Sequence, residues 1–137
     1  MLAGYAEVSL TPEFSAAGVT GAGKLNTRFS HDGFTTTNVT SGADLGYAML
    51  RQPDGKIVVA GRVHRTTTGS DFGVVRYNTD GSVNLTFGTS GKALTDFAGA
   101  DDGARDVIIR PSNGKILVVG DATENGVRRM AMARYIP

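Results

Sequence analysis

Gln52-Pro53-Asp54-Gly55-Lys56-Ile57-Val58-Val59-Ala60-Gly61 reads as a tight turn followed at once by a short apolar run. Asp-Gly is a strong hairpin signal, because both residues tolerate the positive φ that a primed two-residue turn demands. Pro53 fixes φ just ahead of the turn and has no N–H to give to a central ladder. Ile57-Val58-Val59 carries no polar alternation, which suits a strand covered on both faces. The run ends at Gly61, where another backbone can approach closely. A second copy follows as Pro111-Ser112-Asn113-Gly114-Lys115-Ile116-Leu117-Val118-Val119-Gly120. Gly55 and Gly114 are therefore the structural turn residues, expected at positive φ. Val58, Val59, Leu117, Val118 and Val119 are expected in the core.

The two copies stand about 58–59 positions apart, and other residues pair at nearly the same offset. Phe29 and Gly33 pair with Phe87 and Gly91, Arg51 with Arg110, Lys56 with Lys115, and Arg76-Tyr77 with Arg134-Tyr135. A fixed period of this kind decides the architecture before any local propensity does. It divides the chain into an N-terminal arm or partial blade (1–24), a first unit (25–82) and a second unit (83–137). The first unit predicts strands near Phe34–Val39, Leu45–Arg51, Lys56–Val63 and Phe72–Tyr77, with Arg65–Ser70 as a loop. The second predicts Lys92–Phe97, Arg105–Arg110, Lys115–Asp121 and Val127–Tyr135, the last entered through an Asn125-Gly126 turn. In the arm, Leu10 to Gly18 echoes the connectors Leu25 to Gly33 and Val83 to Gly91, and Leu2 to Ser9 reads as the last strand of an otherwise missing blade. The fold class is all-β, with propeller blades and two four-stranded antiparallel sheets per chain.

The pattern of Phe29, Gly33, Gln52 to Gly61, Asp71-Phe72, Arg76 to Asn78 and Asp80-Gly81-Ser82 resembles the delta-60 repeat, and the second unit matches it more loosely. The resemblance spans about four-fifths of the chain. It implies a β-propeller of the kind common in bacterial surface and secreted proteins, and it implies no chemistry, because that family has none assigned. Two blades do not close a ring, since propellers close with roughly four to eight. The expected partner is therefore the chain itself, as a homotrimer of two-blade chains whose ring is closed by oligomerisation.

Composition narrows the classes. The chain has 137 residues, 19 of them glycine and 4 proline, and 40% are hydrophobic, which suits many short strands and turns. Fourteen basic side chains against 13 acidic ones leave a net charge of +1, too balanced for a nucleic-acid footprint. The absence of cysteine excludes disulfides and thiolate metal sites. No run approaches the roughly 20 apolar residues of a membrane span. Met1 to Glu7 lacks the basic and long apolar regions of a signal peptide, so export rests on the resemblance alone.

The candidate site residues are few. His31 and Asp32 stand where the second unit has Thr89 and Ser90, so they lie outside the repeated scaffold and are candidates for ligand binding. Arg51 and Asp54 flank the first turn and join them. His64 is isolated, and two distant histidines are a weak metal signal. Asp96, Asp101, Asp102 and Asp106 cluster among glycines; Asp101 and Asp102 are the candidate ligands for Ca²⁺, the one cofactor considered. Their spacing does not fit an EF-hand loop, and Asp44 matches Asp102 in the other unit, which favours a turn role. Gly18 to Lys24 has phosphate-loop spacing up to the lysine, but Leu25 replaces the required Ser or Thr. The recurring Arg76-Tyr77 reads as structural, with the guanidinium on a carboxylate or a tyrosine ring.

No catalytic constellation stands out. The first functional expectation is a non-enzymatic propeller scaffold or recognition module for protein or glycan. The alternatives are an enzyme whose ring mouth gathers loop carboxylates such as Asp32 or Asp54 from several chains, and a recombined propeller fragment with no function of its own.

Overall fold

A computed structural model describes residues 1–8 and 11–137, with backbone alone for Ala3 and residues 5–8. The strands are β1 (Leu2–Val8), β2 (Thr11–Ala17), β3 (Phe34–Thr37), β4 (Asp44–Arg51), β5 (Ile57–Arg65), β6 (Gly69–Tyr77), β7 (Lys92–Thr95), β8 (Gly103–Ile109), β9 (Ile116–Glu124) and β10 (Val127–Tyr135). All pairings between them are antiparallel. Among the described residues no helix is long and apolar enough to cross a membrane.

Among the described residues the strands form three sheets, ordered β1-β2-β3, β4-β5-β6-β7 and β8-β9-β10. This corrects the expectation of two four-stranded sheets. The first strand of each sequence unit does not join its own unit. β3 pairs with β2 of the arm, and β7 pairs with β6 of the first unit. The connector explains the shift. Asn84 N–H donates to Arg76 O and Arg76 N–H to Gly91 O, so the 84–91 turn folds back on the end of β6 and delivers β7 to its open edge. The preceding connector repeats these bonds, Asn26 N–H to Gly18 O and Gly18 N–H to Gly33 O, and delivers β3 to β2.

The arm is also corrected. Residues 11–17 are a strand and not a third connector, and Leu2–Val8 is the first of three strands rather than a last one, paired from Leu2↔Ala17 to Val8↔Thr11. The end of the expected strand at Ser9, and Leu10, lie outside the described residues. The physical reason is Phe14, 0% exposed, whose ring packs into the core shared with Val59, Val63, Val75 and Tyr77. The phosphate-loop look-alike is a short turn, closed by Thr20 N–H to Lys24 O and a bridge between Val19 and Leu25.

The central sheet is covered on both faces. Val58, Ala60, Phe72 and Val74 pack against Ala104, Val107, Ile116 and Val118 of the third sheet. Ile57, Val59, Val63, Val75 and Tyr77 pack against Phe14 and Ala16 of the first. The inner strands β1, β4 and β8 touch neighbouring sheets, while β7 and β10 make their main contacts within their own. The sheets therefore fan outward from one side, as blades do. Tyr77 Oη donates to Thr37 Oγ1 at 2.8 Å and ties the central sheet to the first, and burial pushes this phenol up to about 12. Leu117 and Val119, expected in the core, are only half-buried, because they point away from the central sheet.

The turn at residues 52–56 differs in type from the expected one. Gly55 has φ 86°, and Asp54 is not among the positive-φ residues. Gly55 N–H donates to Gln52 O at 2.9 Å, and Pro53 occupies the second turn position, which its fixed φ suits. This is a common turn followed by a left-handed glycine, the alternative hairpin to a primed turn. Asn125-Gly126, with φ 50° and 76°, is the two-residue primed turn. Gly114, at φ 66°, ends the equivalent turn in the second unit.

Val59→Ala and Val118→Ala are expected to cost about 1–3 kcal/mol each in urea unfolding, and Leu117→Ala clearly less, since its face is half open. Gly55→Val is expected to cost roughly 1 kcal/mol or more, and more than Gly114→Val. A Cβ at position 55 would stand 2.7 Å from Thr79 Cγ2, whereas one at 114 meets nothing within 4 Å.

Candidate functional site

The inner strands β4 and β8 each carry one extra residue. Pairing passes from Gly46↔Gly61 to Ala48↔Ala60, and from Ala104↔Gly120 to Asp106↔Val119, so Tyr47 and Arg105 bulge out of register. Gly61 and Gly120 allow this: a Cβ at either would collide with the carbonyl of Leu45 or Gly103 on the bulged strand. Bulges re-aim side chains, and they collect at sheet edges and binding sites. Here they bring Tyr47 and Arg105 together across two sheets, with the guanidinium carbon 5.3 Å from the ring centre. Arg105 Nε donates to Asp121 Oδ1 at 2.7 Å, and Arg128 Nε lies 3.0 Å from Asp121 Oδ2. The Asp121 bond holds the Arg105 guanidinium above its ordinary pKa, against a smaller opposing effect of burial. Tyr47 remains 42% exposed. An open aromatic face beside two guanidiniums and a carboxylate can stack and hydrogen-bond a ligand.

Sequence reasoning missed Tyr47, Arg105 and Asp121. The signal was present: the strand-end glycines announced a close backbone approach, and a bulge opposite them is one way to make it.

Arg51 and Asp54 come together with Thr79 in a shallow groove that also includes Ile109. Asp54 is engaged there. Lys56 Nζ donates to its Oδ2 at 2.6 Å, and that bond is the main reason its carboxyl sits below the usual range. Asp32 Oδ1 accepts the Phe34 N–H at 3.0 Å and so caps the turn into β3. His31 adopts φ 66° in the same turn, and its influence on Asp80 is the least of several that lower that carboxyl, the hydrogen bonds from Ser82 coming first. Thus each of the two loop carboxylates proposed as acid or base already serves its own turn. Arg76 is buried and meets neither of the expected partners. Its Nε and Nη2 donate to Asn84 Oδ1 at 3.1 and 2.8 Å, and its guanidinium carbon lies 4.9 Å from the Phe87 ring centre.

The expected metal pair separates. Asp101 Oδ1 accepts the Ser70 N–H at 3.0 Å and lies 3.5 Å from Arg62 Nη2 on an exposed loop. Asp102 is 2% exposed and accepts the amides of Phe97 (2.8 Å) and Thr123 (3.2 Å). Burial raises its carboxyl above the usual range, against those hydrogen bonds, and the charges of Asp96 and Asp71 act in the same direction as burial. Asp71, which sequence reasoning left out of the acidic set, takes the place of Asp101 beside it.

Residues 52–87 and 112–137 match a family described as a domain of unknown function (DUF5122) beta-propeller. The chain is similar to a β-propeller-type repeat family. The two matched segments cover the first copy of the turn-and-strand motif, the second from Ser112 on, and the hairpins that these runs open. No curated protein matches the chain.

A double-mutant cycle between Tyr47→Ala and Arg105→Ala is expected to show a coupling of about 0.5–1 kcal/mol in urea unfolding. Coupling within error of zero would mean that the two bulges are independent.

Proposed function

We propose that the chain is a non-enzymatic β-propeller module that closes a ring with a second copy of itself and presents its inner edge to a protein or glycan. The supporting observation is the outer face of the third sheet. Met130 and Met132 stand 58 positions after Phe72 and Val74 of the central sheet. Phe72 and Val74 are 0% exposed because the next sheet covers them, whereas Met130 and Met132 are 89% and 61% exposed. Leu117 and Ile108 lie on the same open face, which continues into a cleft with Pro111 and Arg134. The exposed apolar side chains are contiguous on this face, and they occupy the positions that make the contact between consecutive sheets elsewhere in the chain.

A first sheet from a second copy would meet that face with its own outer side, which carries Ser15, Ala17, Phe34 and Thr36 and points away from the central sheet. Head-to-tail packing of this kind closes when the rotation returns on itself. Three sheets per chain make a pair a ring of about six, inside the usual range, and a triple a ring of about nine, outside it. The reading is therefore a dimer of three-sheet chains in place of a trimer of two-sheet chains. Closure gathers the Tyr47–Arg105–Asp121 groups of both copies around one axis, where aromatic and guanidinium surfaces favour a glycan or an extended peptide.

Light scattering at micromolar concentration is expected to give twice the chain mass of 14.3 kDa. Met132→Glu, which places a charge on an exposed position, is expected to give monomers without unfolding. A stable monomer for the parent chain would defeat the ring.

A further inference from the structure

Three acidic side chains converge where the central sheet meets the third. Oxygens of Asp71, Asp96 and Asp102 all lie within 4.8 Å of one another. Asp71 comes from β6, Asp96 from the loop after β7, and Asp102 from the residue before β8. Asp71 and Asp102 are buried, and Asp96 is exposed. Asp71 Oδ2 accepts from Thr68 Oγ1 at 2.9 Å and from Arg65 Nη1 at 3.3 Å. Asp71 Oδ1 is buried and has no hydrogen-bond partner among the described residues. A buried carboxylate oxygen without a partner is rare and costly, and an ion is one of the standard remedies.

We propose that Asp71, Asp96 and Asp102 form a binding site for a hard divalent cation, with Ca²⁺ the best match to the donor set. All donors are oxygens, which select hard cations over zinc or copper. Ca²⁺ accepts irregular sets of oxygens at about 2.3–2.6 Å, so two of its ligands can stand up to roughly 5 Å apart, in keeping with this spacing. Mg²⁺ demands a tighter and more regular octahedron. The charge also calls for a cation. Three carboxylates face one guanidinium, that of Arg65, and the nearby Arg62 is drawn to Asp101 instead.

The repeat supplies an internal control. Glu13, Asn38 and Asp44 stand 58 positions before Asp71, Asp96 and Asp102. Asp44 and Asp102 share one scaffold role, since each accepts the amide five residues before it, Val39 at 2.6 Å and Phe97 at 2.8 Å. Beyond that the copies diverge. Asp44 Oδ1 is satisfied by the Thr40 hydroxyl at 2.7 Å, and its neighbour at position 38 is a neutral Asn. In the later copy Ala98 replaces Thr40 and Asp96 replaces Asn38. At Asp102 Oδ1 the Thr123 amide, at 3.2 Å, takes the place of that hydroxyl, and the added charge at position 96 is what a bound cation would offset. The cation would clamp the central sheet to the third.

The test uses the full chain, stripped with a chelator and titrated with CaCl₂ or MgCl₂ by calorimetry and thermal melting. One Ca²⁺ per chain is expected, with a dissociation constant on the order of 10⁻⁴ M. The melting temperature is expected to rise by several degrees near 10 mM Ca²⁺. Asp71→Asn is expected to abolish the rise. Asp96→Asn keeps an oxygen that can accept the Ala98 and Gly99 amides now bonded to Asp96 Oδ1, so it is expected to fold and to weaken binding at least tenfold. No heat and no melting shift at 10 mM Ca²⁺ would overturn the site, as would Asp96→Asn and Asp71→Asn proteins that titrate like the parent. An equal response to Mg²⁺ would overturn the assignment to Ca²⁺.

Discussion

Ile57, Val59 and Val63 point to one side of β5, and Val58 and Ala60 to the other; none is more than 2% exposed. A strand with this pattern must be covered twice, and the first and third sheets exist in their positions because they provide the two covers. Burial of apolar area on this scale is the dominant favourable term in folding. It also decides what remains open. The flanking sheets each bury one face against the centre, and their two outer faces differ: Ser15, Ala17, Phe34 and Thr36 on the first sheet, Ile108, Leu117, Met130 and Met132 on the third. Stacked units of this kind owe most of their stability to nearest-neighbour contacts. The central sheet has two such contacts, and each flanking sheet has one.

Much of this was legible in the sequence. The β5 and β9 runs, the strand Val127–Tyr135 and the positive φ at Gly55 and Gly114 follow from β-branched composition, glycine and turn chemistry. The repeat also overrode the helical propensity of Met130-Ala131-Met132-Ala133, which is strand. Sheet membership was not legible. A repeat fixes where a pattern recurs, but not which neighbour a strand's backbone chooses, and β3 and β7 take the edge that the connector offers them. The arm was misread for a related reason. Phe14 carries the spacing of a connector phenylalanine, yet it stands 58 positions before Phe72 and shares that residue's role in a core. The type of the 52–56 turn was missed because Asp-Gly suits two hairpin solutions, and Pro53 favours the one that sequence reasoning set aside.

The site was harder to read than the fold, and the reason is physical. Asp32 and Asp54 looked available as isolated letters, but short polar side chains in turns bond to their own loops. Where the two copies differ, by contrast, side chains are released from scaffold duty. Tyr47 and Arg105 occupy one repeat position with unlike chemistry and meet across sheets. Asp102 keeps the turn role of Asp44, but its surroundings have become acidic. Asp71 could not be chosen from sequence, because it lies about 30 residues from Asp102 and only the loop that crosses the start of β6 brings them together.

Native-state hydrogen exchange tests the central claim most directly, since local opening energies report which elements the rest depends on. The backbone amides of Val58–Val63 and Phe72–Tyr77 are expected to exchange slowest in the chain, at the rate of global unfolding, and those of β10 to exchange faster through local opening. Amides of β9 and β10 that match or outlast those of β5 and β6 would contradict a structure organised around a doubly covered central sheet.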